Sequence, residues 1–370
     1  MASRAAGRLA AAMLHQNACL RRSIGLEFAS ISATGTPSYA ASMSAYRRQL
    51  LEAVDANEAA LHTVFGPAAT GIWSDVPVVG PAAAALWNDW RLTLWPPTDV
   101  YDNLGSVWRH LAKDWTAEGE QAQGALRHLV VELVHAECSR VQRQLDEGSG
   151  AGASDAGNGP FRVLIPGSGQ GRLAYSVASA LQSEDAEVVG MERSSAQLSF
   201  AQHMMRGEAL TFHPWLDCFA NNLDAHSRLA ALTTTGVTDG APANLTLVDS
   251  DFLAAGEAGG PAGARCDVCV TSFFLDCLDD LSDGVRSVHD ALRPGGLWVF
   301  AGPLHYQQAG AYVPRPAATL EHFLHLASDH GFVLERPPEL LPAPYVSRPN
   351  AFLSEADWTV PLFTARRVAA

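Results

Sequence analysis

Ile165-Pro-Gly-Ser-Gly-Gln-Gly-Arg-Leu173 joins a short apolar run, Arg162-Val-Leu-Ile-Pro166, to a helical stretch over residues 172–181. The glycines at 167, 169 and 171 lack Cβ atoms. They allow a tight turn and let a ligand lie against backbone N–H groups at a helix start. Alone, such a run is a tight turn; set between a strand and a helix, it reads as a ligand-binding loop. Its spacing is GxGxG, not the GxGxxG of dinucleotide folds, which points away from NAD. A methyl-donor sulfonium ligand has no pyrophosphate to hold. It needs close backbone approach to its amino-acid part and an acid for its ribose.

Working outward, strands are predicted at 187–191, 245–248 and 267–271, and Pro294-Gly-Gly turns into a fifth strand ending at Phe300. Helices are predicted at 195–205 and 281–292, and 205–243 reads as an insertion. Residues 254–264 form a second Gly/Ala-rich loop. Strands alternating with helices predict an α/β fold, a Rossmann-like parallel sheet wound on both faces. Upstream, apolar residues recur at three- and four-residue intervals in three stretches: 44–61, from Tyr101 through Val107, Leu111 and Trp115, and 122–145. A Pro- and Trp-containing connection occupies 66–97. The expected organisation is a transit or disordered segment at 1–43, a helical region at 44–147, a Gly/Ser-rich linker at 148–160 and a ligand-binding α/β domain at 161–370.

Composition narrows the functions. Of the 370 residues 48% are hydrophobic and 17% charged, which excludes a mostly disordered chain. No apolar run is long enough to span a bilayer, and no membrane partner is expected. A formal charge of −14 argues against broad nucleic-acid binding. Lys113 is the single lysine among 25 basic side chains. Cys266 and Cys269 form a CxxC, but on a strand, where residues three apart face opposite sides. No second pair completes a zinc set, so no metal is expected. The first 26 residues carry Arg4, Arg8, Arg21 and Arg22 and no acid, which reads either as an organellar transit peptide or as the Ala-rich helical or frayed start of a cytosolic protein.

Three further positions complete a site. Glu192 ends the second strand, 25 residues after Gly167, where a carboxylate accepts ribose hydroxyl hydrogen bonds. Asp251-Phe252 follows the third strand; the pair reads either as a turn acid with a core aromatic or as an adenine contact. Thr271-Ser-Phe-Phe-Leu-Asp276 ends the fourth strand. Carboxyl ends of strands carry the chemistry of open α/β sheets, so Asp276 is the candidate catalytic group. The competing assignment is a helix N-cap or a solvated loop acid, with Asp279, Asp280 and Asp283 nearby.

These residues carry a resemblance to the carnosine N-methyltransferase (N2227-like) family. The shared segments are Trp108-Arg-His-Leu-Ala-Lys-Asp-Trp115, Leu164-Ile-Pro-Gly-Ser-Gly-Gln-Gly-Arg-Leu-Ala174, His213-Pro-Trp215 with Asn221-Asn222, and Asp251-Phe252. They continue with Thr271-Ser-Phe-Phe-Leu-Asp276, Leu292-Arg-Pro-Gly-Gly-Leu-Trp298, Gly302-Pro-Leu304 and His330-Gly-Phe332, so the resemblance covers roughly 44–366. It implies a class I methyltransferase sheet and S-adenosyl-L-methionine as cofactor. The implied reaction is methyl transfer to the imidazole of a histidine-containing dipeptide, carnosine becoming anserine. The cofactor contacts implied are His110, Lys113, Gly167, Gly169, Gly171, Glu192, Asp251, Phe252 and Ser272. On the substrate side it implies Phe273, Asp276 and Tyr345, with Asp276 holding the imidazole and taking its proton.

Departures from the family pattern are specific. His110 and Lys113 stand where the family uses glutamine and arginine, Gln307 where it uses a substrate histidine, and Trp358 where it uses a substrate tyrosine. His305, two residues before Gln307, would face the same way in an extended segment and could substitute. These departures keep open a different imidazole acceptor: free histidine, a peptide or a protein histidine. An NAD(P)-dependent oxidoreductase and a non-catalytic scaffold are the other classes; the GxGxG spacing and the intact Asp276 argue against them. The resemblance further implies a homodimer located in cytoplasm or nucleus.

Overall fold

The chain is represented by a computed structural model that describes residues 2–28, 36–66, 103–147, 159–237, 239–255, 265–306, 317–346, 348–352 and 357–368. In chain order the elements are α1 (Ala2–Glu27), α2 (Pro37–Phe65), α3 (Leu104–Trp115), α4 (Ala117–Glu147), β1 (Phe161–Pro166), α5 (Arg172–Ala180), β2 (Ala186–Glu192), α6 (Ser195–Met204), β3 (Thr211–Phe212) and α7 (Ala225–Leu229). They continue with β4 (Leu232–Thr233), β5 (Leu245–Asp249), α8 (Phe252–Ala255), β6 (Cys266–Ser272), a 3₁₀ turn (Leu275–Cys277), α9 (Leu281–Ala291), β7 (Leu292–Ala301), α10 (Leu320–Asp329), β8 (Phe332–Pro342) and β9 (Thr359–Arg367). Two units divide them. The first comprises Met1–Gly119, Ser194–Thr238 and Val346–Ala356, the second Glu120–Arg193, Asp239–Tyr345 and Asp357–Ala370.

The second unit is built on a seven-stranded sheet of order β5-β2-β1-β6-β7-β9-β8. The first five strands are parallel, whereas β9 runs antiparallel to both β7 and β8. This is the class I methyltransferase arrangement. The order reverses between β1 and β6, and it is at the carboxyl ends of strands at such a point that these sheets bind ligands. β6 is buried on both faces, as expected for a central parallel strand. Val268 and Val270 join a cluster with Val163 and Ile165 of β1 and a stripe of α4, Leu126, Val130, Val134 and Cys138. The opposite face centres on Trp298, which packs edge-on against Phe300, Phe323 and Phe363. Its indole N–H donates to Thr271 Oγ1 at 2.8 Å, so the buried ring leaves no polar atom unpaired.

Cys266 and Cys269 do not face opposite sides. A register irregularity between Cys266 and Val268, across from the Pro294-Gly-Gly segment, places both in the Trp298 cluster. Between these pairs β6 advances two residues and β7 five, so the surplus residues lie on β7. Among the described residues no group of three or more metal-ligating side chains forms, and no helix is long and apolar enough to cross a membrane.

The first unit packs α1 and α2 around Ile24, Phe28, Leu50, Ala53 and Val54. Arg228 of α7, 1% exposed, makes a two-oxygen pair with Glu27 at 3.0 and 2.9 Å, donates through Nε to Leu216 O, and lies over the Phe219 ring. The motif segments His213-Pro-Trp215 and Asn221-Asn222 are anchored here. Asn57 accepts the His213 N–H and donates to its carbonyl at 2.7 and 3.0 Å. Arg348 donates to the carbonyls of Ala220 and Asn221 and to Asn222 Oδ1. Trp108 stacks on Phe212 and meets Phe200 edge-on.

These divisions differ from the expected ones. Residues 2–27 are helical, with Ala10, Met13, Leu14, Asn17 and Ile24 buried; a stripe of mostly small residues carries little periodic signal. The second helix starts at Pro37, not near 44, because proline suits a first helical turn. The unit boundary falls after Gly119 because residues 126–141 of α4 bury their stripe on the sheet. α6, read from sequence as part of the sheet domain, belongs to the first unit. All but the first residue of the connection at 66–97, most of the linker at 148–160 and most of the loop at 254–264 lie outside the described residues.

α4 is also held at Glu137. Burial pushes this carboxyl up, but hydrogen bonds and charge from Arg140 and Arg366 outweigh it and hold it below its ordinary value. Arg366 of β9 donates to both Glu137 oxygens, at 2.8 and 3.2 Å, and pairs with Glu335 of β8. Arg366→Ala leaves Glu137, 5% exposed, to Arg140 alone. The expected cost is about 3 kcal/mol in urea unfolding at pH 7. A carboxyl depressed in the folded state stabilises above its unfolded value and loses that contribution as pH falls through the folded one. The wild-type chain should therefore lose stability below its ordinary carboxyl range, and the variant should lose less there.

Candidate active site

The turn after β1 is built on left-handed glycines, φ +61 at Gly167, +56 at Gly169 and +78 at Gly171. At Gly167 a Cβ would fall 2.0 Å from the Phe274 ring, so the β1 turn lies directly against the segment that follows β6. The Gly169 N–H donates to Glu192 Oε2 at 2.9 Å. Ser168 N–H bonds Met191 O at 3.0 Å and Ser250 N–H bonds Glu192 O at 3.1 Å. Backbone atoms thus fix Glu192, half-buried, beside the glycine turn, the setting an acid needs to meet a ribose.

Asp251 and Phe252 follow β5. Asp251 Oδ1 accepts the Leu253 N–H at 3.0 Å, starting α8, and its carboxylate faces Arg193 at 3.7 Å. Phe252 is 5% exposed, in the Trp298 cluster, and edge-on to Phe274 at 5.8 Å. Ser272 ends β6, paired with Ala301 of β7.

Asp276 sits in the 3₁₀ turn after β6 and is 3% exposed. It caps no helix; Asp280 caps α9, accepting the Ser282 N–H at 2.8 Å. Asp276 Oδ2 accepts the His305 N–H at 3.1 Å. Burial pushes the Asp276 carboxyl up, while backbone N–H groups of His305, Asp276 and Tyr306 and the charge of His305 act against that rise. Two aromatic residues bracket it with left-handed backbones, Phe273 at φ +51 and Tyr306 at φ +49. Such conformations cost about 1 kcal/mol or more apiece and cluster at functional sites. Phe273 is held there by its N–H to Ala301 O at 3.0 Å and by Gly302, where a Cβ would fall 2.7 Å from Phe273 N.

Trp358 connects the remaining substrate-side candidates. Its ring meets His305 edge-on at 4.9 Å and Tyr345 at 6.4 Å, and its carbonyl accepts the Ala343 N–H. Phe273 and Trp358 both pack on the β1 face of the core. Tyr306 is left-handed, so His305 cannot be placed by the alternation of an extended segment; Gln307 lies outside the described residues. Tyr306 was not singled out in the sequence, where an aromatic residue gives no sign of a positive φ.

His110 and Lys113 lie on α3 of the first unit. His110 Nδ1 donates to Ser106 O at 2.8 Å and lies 3.3 Å from Gln197 Nε2. Burial, then the Lys113 charge, pushes this imidazole down, towards the neutral form. The Lys113 ammonium pairs with Asp114.

A family model described as Carnosine N-methyltransferase matches residues 93–368. The chain is 25% identical over 256 residues to "Carnosine N-methyltransferase unmet" of Drosophila melanogaster, covering 66% of this chain and 51% of that protein. It is 24% identical over 258 residues to the Schizosaccharomyces pombe carnosine N-methyltransferase, 63% of each chain, and 22% over 215 residues to that of Rattus norvegicus, 55% and 48%. The chain thus spans about half the length of the curated relatives it matches. Among solved structures, the CurJ carbon methyltransferase aligns at TM-score 0.41 and 14% identity over 88% of this chain and 71% of that one. A 16S rRNA (adenine(1408)-N(1))-methyltransferase from Catenulisporales acidiphilia aligns at 0.37 and 14%, over 64% and 92%. The fold assignment itself rests on the strand order of the sheet. Since the family model matches from ahead of α3 through the end of β9, the chain belongs to the carnosine N-methyltransferase family.

Proposed function

We propose that this chain is an S-adenosyl-L-methionine-dependent N-methyltransferase acting on the imidazole of a histidine-containing dipeptide, with carnosine converted to anserine. The observation that carries the proposal is Asp276, a buried carboxylate held by main-chain N–H groups between two strained aromatic residues at the carboxyl end of β6. The cofactor fits the residues present: the turn carries no side chains at 167, 169 and 171, where its glycines are left-handed, and Glu192 is oriented by the Gly169 N–H. When bound, S-adenosylmethionine supplies a methyl group activated by its sulfonium charge.

The chain's own residues then have defined tasks. Gly167, Gly169 and Gly171 offer backbone to the cofactor's amino-acid part, and Glu192 accepts from its ribose hydroxyls. Asp251 and Ser272 flank the adenosine side, with Phe252 supporting that wall from the core. By the family resemblance, His110 and Lys113 add to cofactor binding. Phe273, Tyr345 and Trp358 wall the acceptor ring and exclude water. Asp276 orients the imidazole through its N–H, so the other nitrogen presents its lone pair in line with the methyl group. As positive charge develops on the ring, the Asp276 carboxylate stabilises it and accepts the proton. An imidazole with a pKa near 6.5 is mostly neutral at pH 7, so no stronger base is needed.

Trp358 favours a second acceptor within the same class. Its indole replaces the family's tyrosine and packs on His305, which would remove a hydroxyl contact to the dipeptide. The test is label transfer from methyl-labelled S-adenosylmethionine to carnosine, free histidine, a histidine peptide and a non-imidazole amine. Carnosine is expected to be labelled fastest. Preference for another imidazole would replace the dipeptide, and labelling of the amine alone would reject the function.

A further inference from the structure

Gln123 is a polar residue at the head of an apolar stripe. It precedes Leu126, Val130 and Val134 at helical spacing on α4, and it is 6% exposed. Its amide Nε2 donates to two successive carbonyls, Ala343 O at 3.1 Å and Pro344 O at 2.7 Å. Both neighbours are acceptors, so the nitrogen and not the oxygen of the amide must face them. The segment after β8 cannot meet these carbonyls itself. Pro342 and Pro344 carry no N–H, and the Ala343 N–H is bound to Trp358 O at 2.9 Å. Ala343 is fully buried, and a buried carbonyl needs a donor. Gln123 stands where a strand partner would, and the next residue along the chain is Tyr345.

We propose that Gln123 is a positioning residue for the acceptor wall: by holding the carbonyls of Ala343 and Pro344 it fixes where the chain delivers the Tyr345 ring against Trp358. The proposal rests on Tyr345 and Trp358 walling the acceptor ring. Both rings, Gln123 and the carbonyls it holds belong to the second unit. Trp358 is tied to the same segment by its carbonyl, and its ring lies 6.4 Å from that of Tyr345. A displaced Tyr345 loosens the grip on the acceptor. The glycine turn and Glu192 are held by bonds of their own and stay as they are.

The experiment compares the full chain with Gln123→Met, which keeps the side-chain length and removes both donors. With 3-fluorotyrosine incorporated and Tyr345→Phe identifying the signal, the ¹⁹F resonance of Tyr345 should shift or broaden in the variant. At saturating S-adenosylmethionine, the KM for carnosine, or for the imidazole acceptor that the label panel ranks above it, should rise about tenfold, more than kcat falls. A merely structural role would reduce the amount of folded enzyme, and so kcat, without moving KM. An unmoved Tyr345 resonance in a folded Gln123→Met, or a wild-type KM, overturns the proposal. Should Gln123→Met not fold, Gln123→Asn, whose amide is one carbon too short to hold both carbonyls, decides by the same two readings. The resonance needs no turnover: if it moves while no acceptor is labelled, the positioning of Tyr345 stands and the function fails.

Discussion

Asp276→Asn is expected to lower the rate of methyl transfer about a thousandfold at pH 7, with S-adenosylmethionine affinity unchanged. The substitution keeps size and retains an oxygen that can accept the His305 N–H, so the turn around residues 273–277 should persist. What it removes is the charge. Without it, positive charge on the acceptor ring has no partner and the ring proton has no acceptor. Label transfer under cofactor saturation gives the rate, and calorimetry the affinity. A near wild-type rate would remove Asp276 from the chemistry.

Glu192→Ala is expected to weaken S-adenosylmethionine at least about a hundredfold. Two hydrogen bonds from ribose to a carboxylate are lost together, and the Gly169 N–H loses the partner it holds at 2.9 Å. Glu192→Gln should fall between the two, since it restores an acceptor without the charge. Calorimetric titration checks this, and retained affinity in the alanine variant would contradict the ribose role. Asp276→Asn and Glu192→Ala should thus separate cleanly, one acting on turnover and the other on binding.

How far the sequence led depended on whether each feature leaves a local mark. β1, β2, β5, β6 and β7 are short apolar runs punctuated by glycine or proline, and each was placed within a residue or two. β8 and β9 were missed. β8 is an edge strand carrying Glu335, Arg336, Pro337, Pro338 and Glu339, most of it exposed, and such protected edges look like loops. β9 contains Pro361, which argues locally against a strand although its neighbours are buried. α1 hides its buried stripe among alanines.

The positions of Glu192 at the end of β2 and of Asp276 just after β6 were legible, as was the glycine turn, because its φ angles need glycine. The left-handed Tyr306 and the His305 N–H held by Asp276 were not legible, because neither is written in residue type. The pairing of Cys266 with Cys269 in one cluster was hidden similarly, by a bulge that strand alternation cannot anticipate.

The central claim is methyl transfer to an imidazole nitrogen with Asp276 beside the ring. Its most direct test is a single-turnover reaction of the cofactor-saturated chain with carnosine, the product's methyl position located by fragmentation mass spectrometry. One methyl group on the imidazole ring, formed by the wild type and not by Asp276→Asn, is the predicted result. A methyl group on the dipeptide's amine, or equal ring methylation by both proteins, would contradict it.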